Sequence, residues 1–204
     1  GMKKDEIIKK LQNFLVANKN SEEIESLTLN TILKHLGISK GSFYYHFKNK
    51  DDLLFQAINP LMKNQTQEFK HDIKKLNSLK EQFHLLFEPF VAEPNNTKLK
   101  QIDNFYTNLF FKEYTNKAKL QNMKKIYTSV RNARKSLLFQ ALKYNDIKVD
   151  KKLTILLDFL DTTMMFYYHI NKVIYKKHAN NEILDLIDML CNLIEKQYKN
   201  KPTT

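Results

Sequence analysis

The sequence is poor in residues that turn or cross-link a chain. Its 204 residues include three glycines, four prolines, one cysteine and no tryptophan. An all-β fold needs many tight turns, and so few glycines and prolines argue against one. The single cysteine, Cys191, excludes an intrachain disulfide and is typical of a reducing compartment. We therefore expect an almost entirely helical, cytoplasmic protein.

The sequence also lacks long apolar runs and recognisable catalytic motifs. No run approaches the ~20 apolar residues that span a bilayer, since Asp158 and Asp161 interrupt the most apolar stretch, 153–168. The N-terminus enters a charged amphipathic helix directly, so we expect no signal peptide. There is no glycine-rich phosphate loop, and the six histidines show no metal-ligand spacing. The sequence predicts no enzyme, no metal, no cofactor and no membrane partner.

The net charge of +12 is unevenly distributed. Residues 1–60 contain nine lysines and seven acidic residues, a net +2, so the remaining +10 lies in the rest of the chain. Lysine is common throughout, and only two of the 34 basic residues are arginines. Most lysines are therefore interpreted as solvating helix faces, and the total charge alone does not indicate a nucleic-acid partner.

The segment 28–54, TLNTILKHLGISKGSFYYHFKNKDDLL, has the layout of a helix-turn-helix. Thr28 can cap a first helix, which Gly37 ends because a residue without a Cβ adopts left-handed backbone readily. The apolar positions of this helix are Leu29, Ile32, Leu33 and Leu36. Ser39 is expected to cap a second helix that runs to about Phe47. A short glycine-containing turn of this kind directs the second helix into the major groove of DNA.

The second helix and the residues after it carry polar, aromatic and basic side chains, with no acid from Ser39 to Lys50. The N-terminal residues of such a helix contact base edges, which makes Lys40 and Ser42 candidates for base contacts. Phe43 and Phe47 are four residues apart and are expected to face the core. The predicted DNA-binding residues are Thr28, Asn30, Ser39, Lys40, Gly41, Ser42, Tyr44, Tyr45, His46, Lys48 and Lys50. Alternatively, the two tyrosines and the histidine are packing residues without a role in DNA binding.

The string from Gly37 to Leu54 resembles the N-terminal domain of TetR-type transcriptional regulators. The resemblance implies that Tyr44 and Lys50 contact phosphates. It also implies a C-terminal domain with an effector cavity, whose last two long helices pair in a dimer. The chain departs from the family pattern by an insertion within 18–26, and Leu33 occupies a position usually given to a small residue. Both departures predict a different packing of the first helix on the motif.

Apolar periodicity predicts the remaining elements. The predicted helices span about 4–18, 63–75, 78–92, 97–115, 118–144, 150–177 and 181–199. Pro60 follows the motif inside an apolar pattern and predicts a kink or a restart of the helix there. The predicted fold is all-α: a three-helix DNA-binding domain over 1–50, a connecting helix over about 50–75, and a helical bundle over 76–204 for effector binding and dimerisation.

Arg134 lies in the middle of an apolar helix face, within a tract, 114–145, that has eight basic residues and no acid. A charge there must be paired or bind a ligand. Two interpretations remain open: a buried ion pair with Asp103, Asp158 or Asp161, or an anion anchor for a small molecule. The many aromatic residues in the C-terminal part of the chain are expected either to line an effector cavity or to form ordinary hydrophobic core. The predicted ligand-binding residues are Phe87, Phe105, Tyr106, Leu109, Tyr127, Arg131, Arg134, Asp158, Thr162, Phe166 and His169.

Residues 153–175 are apolar around most of the helix circumference, and 183–194 have a strong apolar face. The predicted dimer interface is Leu153, Leu156, Leu157, Leu160, Met164, Tyr167, Tyr168, Ile183, Leu186, Ile187, Leu190 and Ile194. A two-fold protein also suits two half-sites one DNA turn apart. The leading hypothesis is a homodimeric repressor that binds an inverted repeat in double-stranded DNA and is released by a small-molecule effector. Alternatives are a DNA-binding protein without a ligand switch, or a helical carrier or enzyme with a vestigial motif.

Overall fold

The computed structural model describes residues 1–17, 27–91, 97–108, 120–177 and 181–199, and the regular elements in these ranges are helices. The α-helices are α1 (Lys4–Ala17), α2 (Leu29–Leu36), α3 (Lys40–His46), α4 (Lys50–Lys75), α5 (Leu79–Phe87), α6 (Thr97–Asn108), α7 (Leu120–Tyr144), α8 (Lys151–Ile170) and α9 (Glu182–Tyr198). A 3₁₀ turn, Glu88–Phe90, follows α5, and a π-helical turn, Asn171–Tyr175, extends α8. The predicted all-α class is confirmed. Within the described ranges, no helix is long and apolar enough to cross a membrane.

Most helix positions agree with the apolar periodicity. The helix predicted over 78–92 is shorter, because Pro89 has no N–H to donate to the carbonyl one turn earlier and the chain tightens into the 3₁₀ turn. The predicted ends beyond Asn108 and before Leu120 lie outside the described residues, as does the insertion within 18–26.

Of the two alternatives predicted at Pro60, a kink or a restart, the restart is wrong, because α4 is one helix from Lys50 to Lys75, and the kink stays a prediction. An internal proline costs a helix ~3 kcal/mol. Apolar side chains buried on both sides of Pro60 offset this cost, since burying each one contributes ~1.5–3 kcal/mol. These buried residues are Leu53, Leu54, Ala57, Ile58, Leu61 and Met62. Pro60 itself points to solvent.

The chain forms two compact units. Unit 1 comprises 1–65 and 94–124, and within it α1 packs against α2 and α6. Unit 2 comprises 66–93 and 125–204. Its core joins apolar side chains of α5, α7, α8 and α9, and α5 packs closely on α9. The predicted domain boundaries at residues 50 and 76 divide the chain by function, whereas the two units divide it by packing. The functional boundaries therefore stay a prediction.

Gln82 and Cys191 are residues with polar side chains that are buried in the core of unit 2. The amide nitrogen of Gln82 donates to the carbonyls of Ile73 (3.1 Å) and Leu76 (3.2 Å) at the end of α4, where helix carbonyls lack partners. Its carbonyl oxygen accepts from Asn145 Nδ2 at 2.7 Å. Cys191 is fully buried, and burial, with smaller effects of nearby charges, raises the pKa of its thiol to about 12. It is therefore a neutral core residue that packs as a small hydrophobic side chain.

Candidate nucleic-acid interface

The turn between α2 and α3 is built by the local contacts that the sequence predicted. Thr28 Oγ1 accepts from the amide of Thr31 at 3.2 Å and caps α2. Gly37 adopts left-handed backbone with φ of 68°, where a side chain would be strained. Ser39 Oγ accepts from the amide of Ser42 at 3.1 Å and caps α3. These two capping hydrogen bonds and the left-handed Gly37 fix the direction in which α3 leaves the turn.

Two phenylalanines hold α3 against unit 1. Phe43 and Phe47 are buried, with ring centroids 5.7 Å apart, and confirm the predicted core positions. Because they fix one face of this short helix, the opposite face points to solvent. Tyr44 and Tyr45 are 60% and 84% exposed, and Lys40 is also exposed. Large exposed aromatic side chains beside a lysine are a surface suited to a polar, anionic partner.

Gly41 is not required by the fold. Its backbone does not have positive φ, and an added Cβ would meet only Ser39 Oγ, at an ordinary distance of 3.9 Å. Glycine in a helix is less stable than alanine by ~1 kcal/mol. Its position on the exposed side of α3 therefore fits a need for close approach by another molecule.

Asp52, one of the two acidic residues that follow the acid-free segment 39–50, forms hydrogen bonds within the chain. Asp52 Oδ2 accepts from the amide of Lys48 at 2.9 Å, and the amide of Asp52 donates to Asn49 Oδ1 at 2.8 Å. These contacts cap the start of α4, where a carboxylate is favourable beside the helix N-terminus. They lie after α3, so the exposed face of α3 itself remains free of acidic side chains.

His46 and Lys50 have partners inside unit 1 that the sequence did not reveal. His46 Nε2 lies 3.2 Å from the carbonyl oxygen of Met2 and must donate, since a carbonyl only accepts. Lys50 Nζ donates to the carbonyl of Leu27 at 2.8 Å. Both contacts join residues more than twenty positions apart, which periodicity cannot identify. The phosphate contact that resemblance implies for Lys50 stays a prediction.

The structure brings the predicted DNA-binding residues together on one segment of unit 1. Eight of them are exposed: Thr28, Asn30, Ser39, Lys40, Gly41, Tyr44, Tyr45 and Lys48. Three are half-buried: Ser42, His46 and Lys50. None lies in the core, so all eleven remain compatible with the predicted role.

Arg134 forms a buried ion pair with Asp161. This was one of the two interpretations that its place on an apolar helix face left open. Its Nε and Nη2 donate to Asp161 Oδ1 at 3.0 and 2.8 Å, and its Nη1 donates to the carbonyl of Leu86 at 2.7 Å. The guanidinium also lies 4.6 Å from the ring centroid of Phe90 and 5.4 Å from that of Phe87. With these partners the charge is satisfied by α5, α8 and the 3₁₀ turn, without a ligand.

The other predicted ligand residues are divided between the two units. Phe105 and Tyr106 are buried in unit 1, whereas the other described members belong to unit 2. In unit 2, Arg131 pairs with Asp158 at 3.1 Å, and both line a small pocket that Asp161 also lines. Tyr127 and Thr162 are joined by their hydroxyls at 3.4 Å, His169 is buried, and Phe166 is exposed. Leu109 lies outside the described residues.

The predicted dimer interface mixes two sides of α8 and α9. Six of its members are core residues of unit 2: Leu153, Leu157, Met164, Tyr168, Ile187 and Ile194. Three are partly buried: Leu160, Ile183 and Leu190. Only Leu156, Tyr167 and Leu186 are well exposed. For the six core members the prediction is corrected: α8 is apolar on nearly all sides, so the sequence could not show which side the chain buries itself.

The exposed side of these helices carries large apolar residues, five of which the predicted interface did not include: Ile155, Phe159, Phe166, Met189 and Leu193. We call the following set the α8–α9 apolar face: Ile155, Leu156, Phe159, Phe166, Tyr167, Leu186, Met189 and Leu193. Both helices pack on the same core, and a bridge between Ile147 and Lys199 places the end of α9 beside the start of α8. The signal was present in the spacing of Ile155, Phe159 and Phe166, which repeats along one helix side.

The comparison with known sequences bears on the same segment. The sequence model of the family described as bacterial regulatory proteins, tetR family, matches residues 22–57. An HTH-type transcriptional regulator of Staphylococcus aureus, strain bovine RF122, is 30% identical over 105 residues, which are 50% of this chain and 53% of that protein. Another from strain USA300 is 28% identical over 85 residues, 42% of each chain. The match thus spans about half the length of these relatives, or less.

A solved structure extends the likeness to the whole fold. The crystal structure of a transcriptional regulator of the TetR family from Cytophaga hutchinsonii aligns with a TM-score of 0.61 and covers 97% of this chain and 96% of that one. At 14% identity this likeness concerns the fold alone. The sequence match lies on the capped turn and the helix α3 described above. Residues 22–57 of this chain are thus similar to the tetR family of bacterial regulatory proteins, and the fold resembles that of a TetR-family regulator.

Proposed function

We propose that this chain is a DNA-binding transcriptional repressor that acts as a homodimer and is released from its operator by a small-molecule effector. The observation that carries the proposal is the exposed, acid-free face of α3. It presents Lys40, Tyr44 and Tyr45 to solvent, while Phe43 fixes the opposite face in the core. Gly41, which the fold does not require, allows close approach to a groove wall.

The residues of this face divide by position. Lys40, Gly41 and Ser42 lie at the N-terminal end of α3, which enters the major groove first in this docking geometry. Lys40 can donate to guanine O6 and N7, whereas Ser42 can donate or accept. Tyr44, Tyr45 and Lys48 lie farther along and suit sugar and phosphate contacts, which position a protein without reading sequence.

The α8–α9 apolar face supports the dimer. Its large exposed side chains include Phe159 at 69% and Leu193 at 61% exposure. Large exposed apolar side chains that line one side of a helix in this way mark an interaction site. A two-fold dimer presents two α3 helices and so predicts an operator with inverted half-sites.

A gel-shift titration tests the proposal, with DNA from upstream of the chain's own gene as the probe. We expect the dimer to bind at low salt and the affinity to fall steeply as salt rises, because phosphate contacts release counterions. The absence of a shift with folded dimeric protein at low salt would contradict the proposal.

Single substitutions test the division of roles. Lys48→Ala should weaken binding to all sequences alike and lower the salt slope by ~1, as the loss of one phosphate contact does. Lys40→Ala should instead change the preferred bases. Lys50→Ala is a poorer test of DNA contact, because it also removes the donor to the Leu27 carbonyl. If Lys40→Ala and Lys48→Ala act alike, the assignment of base and phosphate contacts is wrong.

A further inference from the structure

The start of α1 is held against the end of α3. His46 Nε2 donates to the carbonyl of Met2 at 3.2 Å, across 44 positions of the sequence. The ammonium group of Lys4 lies 5.6 Å from the ring centroid of Phe47, the residue that ends α3. A hydrogen bond and a contact between a cation and an aromatic ring thus place residues 2–4 beside the helix-turn-helix.

Residues 2–4 continue the exposed surface of α3. The ring of Tyr45, which is 84% exposed, meets the ring of His46 edge-on, with centroids 4.9 Å apart. His46 in turn holds Met2, and the next two residues, Lys3 and Lys4, are exposed. A chain of direct contacts therefore leads from the exposed face of α3 to the first lysines of the protein.

The acids at the start of α1 lie on other sides of that helix. The backbone amide of Lys3 donates to Glu6 Oε2 at 3.1 Å, so this carboxylate turns back on its own helix. Successive side chains of an α-helix are about 100° apart, which places Asp5 about 100° and Glu6 about 200° around the axis from Lys4. The side of α1 nearest to Phe47 therefore carries the lysine rather than either acid.

The length of α3 leaves a place for such a cation. Its seven residues span about 10 Å, slightly less than the ~12 Å width of the major groove. Phosphates that border the groove are therefore within reach of residues at the ends of α3. Lys48 directly follows Phe47, and the ammonium group of Lys4 lies beside the same ring. Both cations thus lie at the C-terminal end of α3.

We propose that residues 2–4 are part of the DNA interface. Lys4 contacts a phosphate at the edge of the groove, and His46 is a positioning residue that acts through Met2. Residues 2–4 lie outside the segment 22–57 that matches the family model, so that likeness does not supply this contact. The inference rests on the proposed function and adds to it a phosphate contact from α1.

Gel-shift titrations at several salt concentrations test the contact. The probes are DNA from upstream of the chain's own gene and an unrelated duplex of equal length. Lys4→Met removes the charge but keeps an apolar stem over Phe47. It should weaken binding to both probes alike, by roughly 3–10-fold, and lower the salt slope by ~1 for each protomer bound. Lys4→Arg, which keeps the charge, should bind as the wild type does.

Lys9→Met is the matched control for Lys4→Met. Lys9 is exposed on the same helix, about 140° around the axis from Lys4 and more than one turn away. Its substitution removes the same charge from the protein and should leave the salt slope unchanged. Equal changes of slope in the two variants would show an effect of total charge alone and would overturn the proposal.

The positioning role of His46 is tested by coupling. His46→Leu removes the donor to Met2 and should lower the salt slope in the same direction as Lys4→Met. The losses of affinity in the double variant should sum to less than those of the single variants, because both changes act on one contact. His46→Gln, whose amide can donate to the same carbonyl, should retain most of the binding. Additive losses would show that His46 acts independently of Lys4 and would overturn this role.

A measurement without DNA tests the placement of residues 2–4. The carbonyl of Met2 only accepts, so neutral His46 must carry its proton on Nε2. Nitrogen-15 NMR of the imidazole should show this tautomer in the wild-type protein. A proton on Nδ1 instead would overturn the proposed placement.

The wild-type titration distinguishes the two proposals. If folded dimeric protein binds neither probe at low salt, the proposed function fails and the phosphate contact fails with it. If the wild type binds DNA and Lys4→Met keeps the wild-type salt slope, the contact of Lys4 fails and the proposed function stands.

Discussion

Gly41 shows how a residue that the fold does not need can indicate function. Replacing it by alanine should stabilise the chain by about 0.4–1 kcal/mol, since its backbone suits any residue and alanine restricts the unfolded state. The same methyl group should weaken operator binding at least several-fold, because it faces the proposed groove wall. Urea unfolding and a gel-shift titration measure the two effects.

Gly37→Ala is the matched control for this prediction. It occupies left-handed backbone with φ of 68°, so alanine there should destabilise the chain by about 1–2 kcal/mol. A Gly41→Ala protein that loses stability, or that binds DNA as the wild type does, would contradict the role given to Gly41.

Arg134 and Asp161 form a pair whose side chains are only 13% and 8% exposed. Arg134→Met should cost about 3–5 kcal/mol of unfolding free energy, because it leaves the buried Asp161 carboxylate without its partner. The double variant Arg134→Met with Asp161→Leu should recover most of this loss, since no buried charge remains. Equilibrium unfolding in urea provides the values.

Arg131 offers a control with the same chemistry at the surface. It pairs with Asp158 at 3.1 Å, but the two side chains are 44% and 24% exposed. Arg131→Met should therefore cost less than about 1 kcal/mol, because solvent screens the pair. Equal losses for the two arginine variants would show that burial does not determine the strength of the Arg134 pair.

At the scale of the element, α4 shows how the burial of apolar side chains can outweigh the cost of a proline inside a helix. The local term opposes a helix at Pro60, and the buried side chains on both sides of it outweigh that term. Pro60→Ala should raise the unfolding free energy by about 1–2 kcal/mol, because alanine restores an N–H for the carbonyl of Gln56. The gain is below the full ~3 kcal/mol of a helix-interior proline, since proline also restricts the unfolded chain.

The control for Pro60 is Lys63→Ala, an exposed substitution on the same helix. Surface changes away from special features stay within about ±0.5 kcal/mol, and this one should too. Thermal unfolding monitored by circular dichroism measures both variants. A Pro60→Ala protein no more stable than the wild type would indicate that α4 is bent around residue 60 rather than strained by it.

Features that depend on residues close together in the sequence could be predicted. Contacts between residues far apart in the sequence could not. The caps at Thr28 and Ser39 were predictable because each donor lies three residues from its acceptor. The contact between Lys50 and Leu27, or between Gln82 and Ile73, joins separate elements that no periodic pattern relates. Arg134 is intermediate: its position required a partner, and only the structure selected Asp161 among three acids.

At the scale of the molecule, the positive charge and the apolar surface have different origins. The net charge of +12 lies mostly outside residues 1–60, so it does not identify the face of α3 that we propose to bind DNA. That face is defined by a short acid-free helix, too small to provide a large interface alone. In the proposed dimer a second copy would double it, and the α8–α9 apolar face offers exposed apolar surface that could hold that copy.

The last prediction concerns this second copy. Phe159, at 69% exposure, lies in the α8–α9 apolar face, and Phe159→Glu should place a charge inside the dimer contact at little cost to the fold. Light scattering should then report a mass near 24.3 kDa instead of twice that value, with an unchanged melting curve at low concentration. Operator affinity should fall at least tenfold, because a monomer contacts one half-site. Ser136→Glu, which adds the same charge to an exposed position of α7, should remain dimeric and bind DNA normally. A Phe159→Glu protein that stays dimeric would place the two-fold contact elsewhere on the chain.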